Sequence, residues 1–84
     1  MTHSIRVYSL PGCISCELTM RAFTRRGVAF QEVPMTEEHV RSWKSKGYLA
    51  APIVEAGDLV WYGLRPDLIQ EASNAVIRAT LGRQ

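Results

Sequence analysis

Apolar and polar positions divide this chain into short blocks whose spacing alternates between strand-like and helix-like. Residues 4–10 set Ile5, Val7 and Tyr8 in a β-branched and aromatic run that stops at Pro11-Gly12, the pattern of a strand closed by a turn. Residues 14–26 recur at helical spacing, with Arg25-Arg26 at the end and Gly27 as the stop. Two stripes compete on that helix: Cys16, Met20 and Phe23 form one, Ile14, Leu18 and Ala22 the other, and period alone does not choose between them. Residues 28–33 set Val28 and Phe30 against Gln31 and read as a second strand, ended by Pro34.

The remainder continues the alternation. Thr36 caps a helix carrying Glu37 and Glu38 in its first turn and Lys44 and Lys46 in its last, charges that suit the helix dipole; Gly47 stops it. On this helix Trp43, three residues after Val40, reads as core and His39 as a surface residue. Residues 52–56 and 59–62 flank Gly57-Asp58, a tight hairpin with glycine first, as a type II′ turn wants. Pro66 and Asp67 open a last helix whose Leu68, Ala72, Ala75 and Ala79 share a buried face, with Gly82 at its end. The order βαβαββα implies an α/β fold: a right-handed parallel unit, then a hairpin, giving a four-stranded mixed sheet with helices on both faces.

Eighty-four residues, 46% hydrophobic and 21% charged, make a single globular domain with one modest core. A net charge of +2 is too small to call for nucleic acid, and the basic groups Arg25-Arg26 and Arg41, Lys44, Lys46 read as solvated faces. No run approaches the length of a membrane span, and the first six residues lack the apolar stretch of a secretory leader, so a cytoplasmic protein is expected.

Against that background the two cysteines, Cys13 and Cys16, decide the chemistry. Positions three apart on a helix bring Cβ atoms to about 5–6 Å, close to what a disulfide tolerates. Closing so small a loop stabilises little, about 2 kcal/mol on the chain-entropy argument against about 4.7 for a hundred-residue loop. A pair that adds little stability but can open and close points to electron transfer. Other readings of the pair stand beside it: half a zinc site, a structural disulfide, or two unpaired core thiols. Zinc would need two more ligands, and His3 and His39 stand far apart in the chain. A lasting structural disulfide is unusual in a cytosolic protein.

Position sharpens the redox reading. Cys13 falls where the first strand delivers the chain to a helix N-terminus, where free N–H groups and the dipole stabilise an anion. Helix starts lower a thiol pKa from about 8.5 into a band of about 3.5–7.5. Cys16, one turn further in, is expected to be less exposed and less acidic.

The whole pattern resembles the glutaredoxin branch of the thioredoxin fold, and Trp61-Tyr62-Gly63-Leu64-Arg65-Pro66-Asp67 resembles the Trp-Ser-Gly-Phe-Arg-Pro-Asp segment of NrdH-type redoxins. Arg26-Gly27, Gly47 and Ala56-Gly57-Asp58-Leu59 match that family too, so the likeness runs over about residues 5–69. Tyr62 and Leu64 depart from the family's Ser and Phe.

The resemblance implies a monomeric dithiol–disulfide oxidoreductase without cofactor or metal, taking electrons from thioredoxin reductase to class Ib ribonucleotide reductase. It implies that Cys13 attacks a substrate disulfide and Cys16 resolves the mixed disulfide. It further implies a cis Ala51–Pro52 bond that leaves the edge at Ala51 free for an extended substrate strand, and a partner-facing rim of Trp61, Gly63, Arg65 and Pro66. There Gly63 would allow close approach and Arg65 would offer a fork to a partner carboxylate. One alternative is a glutathione-dependent glutaredoxin. Such proteins carry Lys three residues before the first cysteine, Cys-Pro-Tyr-Cys and a Gly-Gly pair, where this chain has Leu10, Ile14-Ser15 and Tyr62-Gly63. Another is an iron–sulfur or metal carrier, which with two thiolates per chain would need a bridging dimer or added ligands.

Overall fold

The computed structural model describes residues 4–81, so His3 and Gly82 lie outside the described residues. Strand β1, Ile5–Ser9, buries Ile5, Val7 and Ser9 on one side and turns Arg6 and Tyr8 to the other, the period of two that a pleated strand requires. It pairs in parallel with β2, Gln31–Pro34, and antiparallel with β3, Ile53–Ala56. The last strand β4, Leu59–Tyr62, pairs antiparallel with β3, giving the order β2-β1-β3-β4. Three helices join them: α1, Ile14–Arg25, as the crossover between parallel strands, then α2, Glu37–Ser45, and α3, Pro66–Leu81. This is the expected βαβαββα order and mixed sheet.

Register decides which side chains meet. Val7 stands opposite Val54, and Val54 opposite Trp61, so these three share one sheet face with Ile5. There they form the core with Phe23 and Val28 and with Ile69 and Ala72 of α3. The Cys16, Met20, Phe23 stripe of α1 is the one that packs inward; Ile14 is 71% and Leu18 40% exposed. On α3 the deepest positions are Ile69, Ala72 and Ser73, while Leu68, Ala75 and Ala79 are half-buried, so the expected face is rotated by one residue. The small Ala72 and Ser73 suit the close packing of α3, which touches α1 as well as the sheet.

The opposite sheet face carries α2 lightly, for no residue of α2 is buried. Tyr8 meets His39 and Trp43 edge-on at 5.9 and 5.2 Å, and Trp43 meets Tyr48 at 5.3 Å. Trp43 is therefore half-buried in an aromatic seam, with the Lys46 ammonium 5.1 Å from its ring, and not a core residue. His39 helps to start the helix, for Thr36 Oγ1 accepts from the His39 N–H and His39 Nδ1 accepts from the Thr36 N–H, both at 3.1 Å. That reciprocal pair is a capping box with histidine in place of the usual Glu or Gln.

Both α1 and α2 end in the same way. Gly27 and Gly47 take φ of +70° and +93°, and the residue after each donates to a carbonyl three positions inside the helix end: Val28 to Phe23 and Tyr48 to Trp43, each at 3.0 Å. Glycine suits this left-handed position because it has no Cβ to clash. The first of these ends corrects the expected second strand. Val28 packs into the core beside the helix end, and the ladder with β1 begins only at Gln31 and includes Pro34 as its last residue. At the hairpin, φ of +63° at Gly57 with no positive φ at Asp58 matches the expected type II′ geometry.

Candidate active site

The first strand ends at Ser9, and Pro11-Gly12 turns the chain so that Cys13 becomes the N-cap of α1. Its sulfur accepts a hydrogen bond from the Cys16 backbone N–H at 3.1 Å, one of the four donors a helix start leaves without partners. Cys13 and Cys16 are joined as a disulfide, with Cα atoms 5.2 Å apart. The two are unequal in exposure: Cys13 is half-buried, whereas Cys16 is 1% exposed beneath the first turn. The more exposed cysteine is thus the one held at the positive end of the helix.

The other elements reach the same end of the sheet through register. Tyr8 pairs with Ile53, which brings Ser9 and Leu10 abreast of Pro52 and Ala51 as the two strands run on. The Ala51–Pro52 peptide is cis, as expected. Pro52 is buried, and its carbonyl accepts from the Gly63 N–H at 2.8 Å, tying the end of β4 to the proline. Among the described residues no backbone hydrogen bond engages Ala51. Beside it lies an apolar hollow of about 230 Å³, whose lining includes Leu10, Met35, Trp43, Leu49, Ala51 and Ile53. Leu10 and Leu49 are 38% and 63% exposed. The sequence reading missed this hollow, although apolar residues just before Pro11 and Ala51, in loops rather than on a periodic face, were a signal.

The stretch from Trp61 to Pro66 differs from its expected role in three ways. Trp61 is 4% exposed and belongs to the core, because its position opposite Val54 points it at α1 and α3, so its ring is covered rather than presented at the surface. Arg65 does not present a free fork: its Nε and Nη2 donate to Asp67 Oδ1 and Oδ2 at 3.2 and 3.0 Å. That pairing holds the Asp67 carboxyl below its ordinary pKa and raises that of the guanidinium. Gly63 has no atom within 4 Å of where a Cβ would stand, so the Cys13 loop makes no close approach; its φ of +81° is what calls for glycine. Pro66 is exposed and opens α3 as expected, with the Arg65 carbonyl accepting the first helical bond from Ile69 at 2.9 Å. Tyr62 and Leu64, the two departures from the family segment, are each 40% exposed.

Among the described residues no three His, Cys, Asp or Glu side chains come together as metal ligands, and no helix is long and apolar enough to cross a membrane. What the geometry offers is a disulfide whose more exposed cysteine caps a helix N-terminus, with the second, buried cysteine behind it.

Comparison with known proteins agrees. No protein-family profile matches the chain. It is 37% identical over 68 residues to the glutaredoxin-like protein NrdH of Salmonella typhimurium, spanning 79% of this chain and 84% of that one. It is 30% identical over 64 residues to the protein of the same name from Lactococcus lactis, spanning 74% and 89%. Among solved structures the NrdH-redoxin of Escherichia coli superposes with a TM-score of 0.77 at 34% identity, covering 81% of this chain and 92% of that one. A glutaredoxin of Archaeoglobus fulgidus, 24% identical and covering 90% and 87%, shares the fold with a TM-score of 0.66. With its cysteine pair at the strand–helix junction of this fold, the chain belongs to the NrdH family of glutaredoxin-like thiol–disulfide oxidoreductases.

Proposed function

We propose that this redoxin works as a cytoplasmic monomer carrying electron pairs from thioredoxin reductase to a class Ib ribonucleotide reductase. The observation that carries the division of labour is the inequality of the two cysteines: Cys13 caps the helix and is half-buried, and Cys16 is sealed below it. In the dithiol form the Cys13 thiolate attacks one sulfur of the acceptor disulfide, forming a mixed disulfide and releasing the acceptor's other sulfur as a thiolate. Cys16, losing its proton, then attacks the Cys13 sulfur, displaces the acceptor's remaining thiolate and closes Cys13–Cys16. Two electrons pass to the acceptor, whose thiolates take up protons from solvent. Thioredoxin reductase, with NADPH as electron source, restores the dithiol by the reverse exchange.

The surroundings favour a peptide partner over glutathione. Ala51 offers backbone groups beside the cysteine loop, the geometry for an extended strand to add on, and the hollow next to it suits an apolar side chain of that strand. Leu10 lines this hollow at the position where the glutaredoxin pattern has a lysine. The Escherichia coli relative is described as having a thioredoxin-like activity profile. Gly63, the paired Arg65 and Pro66 complete the rim as a shaped edge rather than a row of free charges.

Trapping tests the exchange. Cys16→Ser, reduced and mixed with oxidised class Ib ribonucleotide reductase, should accumulate a mixed disulfide through Cys13, visible on a non-reducing gel, while Cys13→Ser should form none. Trapping through Cys16 would reverse the roles, and no adduct from either variant would remove this enzyme as the acceptor.

A further inference from the structure

Thr19 stands one turn beyond Cys16 on the buried side of α1 and has no exposed surface. Helical threonines commonly donate to a carbonyl three or four residues back. Thr24 and Thr80 do so, to Met20 and Val76, both at 3.0 Å. Thr19 leaves that bond unmade, and its buried hydroxyl has no partner at all. Side chains on a helix lean back over the preceding turn, which places that of Thr19 over the turn holding Cys16. An unpaired buried hydroxyl opposes the state in which it is found.

That state is the closed disulfide. There the Cys16 sulfur carries no proton and no charge, so it offers a hydroxyl only a weak acceptor. Reduction by a dithiol breaks the S–S bond and adds two electrons and two protons to the pair, while the donor becomes a disulfide. Cys16 then bears either an S–H, which can donate to the Thr19 oxygen, or a thiolate, which can accept from the Thr19 O–H. We infer that Thr19 is a positioning residue for Cys16: its hydroxyl is orphaned while the disulfide is closed, pairs with the Cys16 sulfur once it opens, and so biases the couple towards the dithiol. The inference rests on Cys13–Cys16 being the redox couple and is independent of which protein supplies or takes the electrons.

Ser73 provides the control. Its hydroxyl is also buried and unpartnered, but it sits on α3 with no cysteine on its helix. If the buried hydroxyls only fill the space between packed helices, Thr19 and Ser73 should behave alike.

The experiment equilibrates wild type, Thr19→Val, Thr19→Ser and Ser73→Ala with dithiothreitol redox buffers and reads the dithiol fraction. Val keeps the shape and removes the hydroxyl; Ser keeps the hydroxyl. Thr19→Val should move the equilibrium towards the disulfide by about tenfold, about 30 mV more negative. Thr19→Ser and Ser73→Ala should stay within about twofold of wild type. Melting supplies a second readout: oxidised Thr19→Val should melt above oxidised wild type, having lost an unpaired hydroxyl, while reduced Thr19→Val should melt at or below reduced wild type. An unchanged equilibrium in Thr19→Val, an equal shift in Ser73→Ala, or an equal rise in melting temperature in both redox forms would overturn the inference. A wild-type protein that does not titrate at all would instead overturn the redox assignment on which it rests.

Discussion

Reduced protein challenged with a limiting amount of iodoacetamide at pH 7 should be alkylated at Cys13 and spared at Cys16. A free thiol is about 3% ionised at pH 7, and a helix start that brings it to about half ionised raises the attacking species about fifteenfold. Lower basicity returns about fivefold of that, since thiolate nucleophilicity falls as acidity rises, leaving Cys13 about threefold faster than a free thiol. Cys16 is 1% exposed and must wait for the first turn of α1 to open. An opening cost of about 1.4 kcal/mol slows it about tenfold. The two sites should therefore differ by about thirtyfold or more. Both cysteines fall in one tryptic peptide, so fragmentation within that peptide measures the ratio, with Cys13→Ser and Cys16→Ser as single-site references. A ratio near one, or a faster Cys16, would show that cap and burial do not separate the two thiols.

Other consequences follow from contacts outside the cysteines. Thr36→Ala removes the hydroxyl half of the α2 capping box and should cost about 1 kcal/mol, lowering the melting temperature by about 4–8 °C; an unchanged melt would show that this lightly attached helix does not depend on its cap. Burial, and then the hydrogen bond to Glu55 at 3.0 Å, raise the Tyr8 pKa above the ordinary phenol value. The folded state therefore holds this proton more tightly than the unfolded chain does. The resulting stability is fully present below the unfolded tyrosine pKa and is lost as pH rises through the higher folded value. Denaturation across that alkaline range should show a loss that Tyr8→Phe reduces, and an identical slope in the variant would contradict it. Arg65→Ala should slow reduction by thioredoxin reductase while leaving reduction by dithiothreitol unchanged, because the exposed Arg65–Asp67 pair shapes the rim but does not hold the core; a matching loss with dithiothreitol would make the pair purely structural.

Much of this fold could be read from local signals because those signals act locally. A proline and glycine after an apolar run, threonine before an acidic first turn, glycine after a basic last turn and glycine first in a two-residue hairpin each set the backbone by their own chemistry. The cysteine pair was legible for the same reason: strand, turn and helix start are consecutive in the chain. What failed depended on contacts made across the chain. All four residues of β4 are apolar or aromatic, so only the pairing of Trp61 with Val54 shows which face the tryptophan takes. Val28 and Phe30 look like strand residues, but Val28 is committed to the end of α1 and to the core. The one-residue rotation of α3 depends on where α1 and the sheet meet it, and the partner of Arg65 is Asp67, in the first turn of α3, a contact across the helix start that no periodicity describes. The orphaned hydroxyl of Thr19 could not be foreseen, since a threonine at a helical core position ordinarily bonds its own backbone.

As proposed above, this redoxin draws its electrons from thioredoxin reductase and not from glutathione, and its rate of reduction by each decides the matter. Oxidised protein is supplied with NADPH and either thioredoxin reductase or glutathione with glutathione reductase, and NADPH consumption is followed with a disulfide acceptor present in excess. Sustained turnover with thioredoxin reductase, lost in Cys13→Ser, together with only slow consumption in the glutathione arm, is the predicted result. Rapid reduction by glutathione and none by thioredoxin reductase would make this protein a glutathione-dependent glutaredoxin instead.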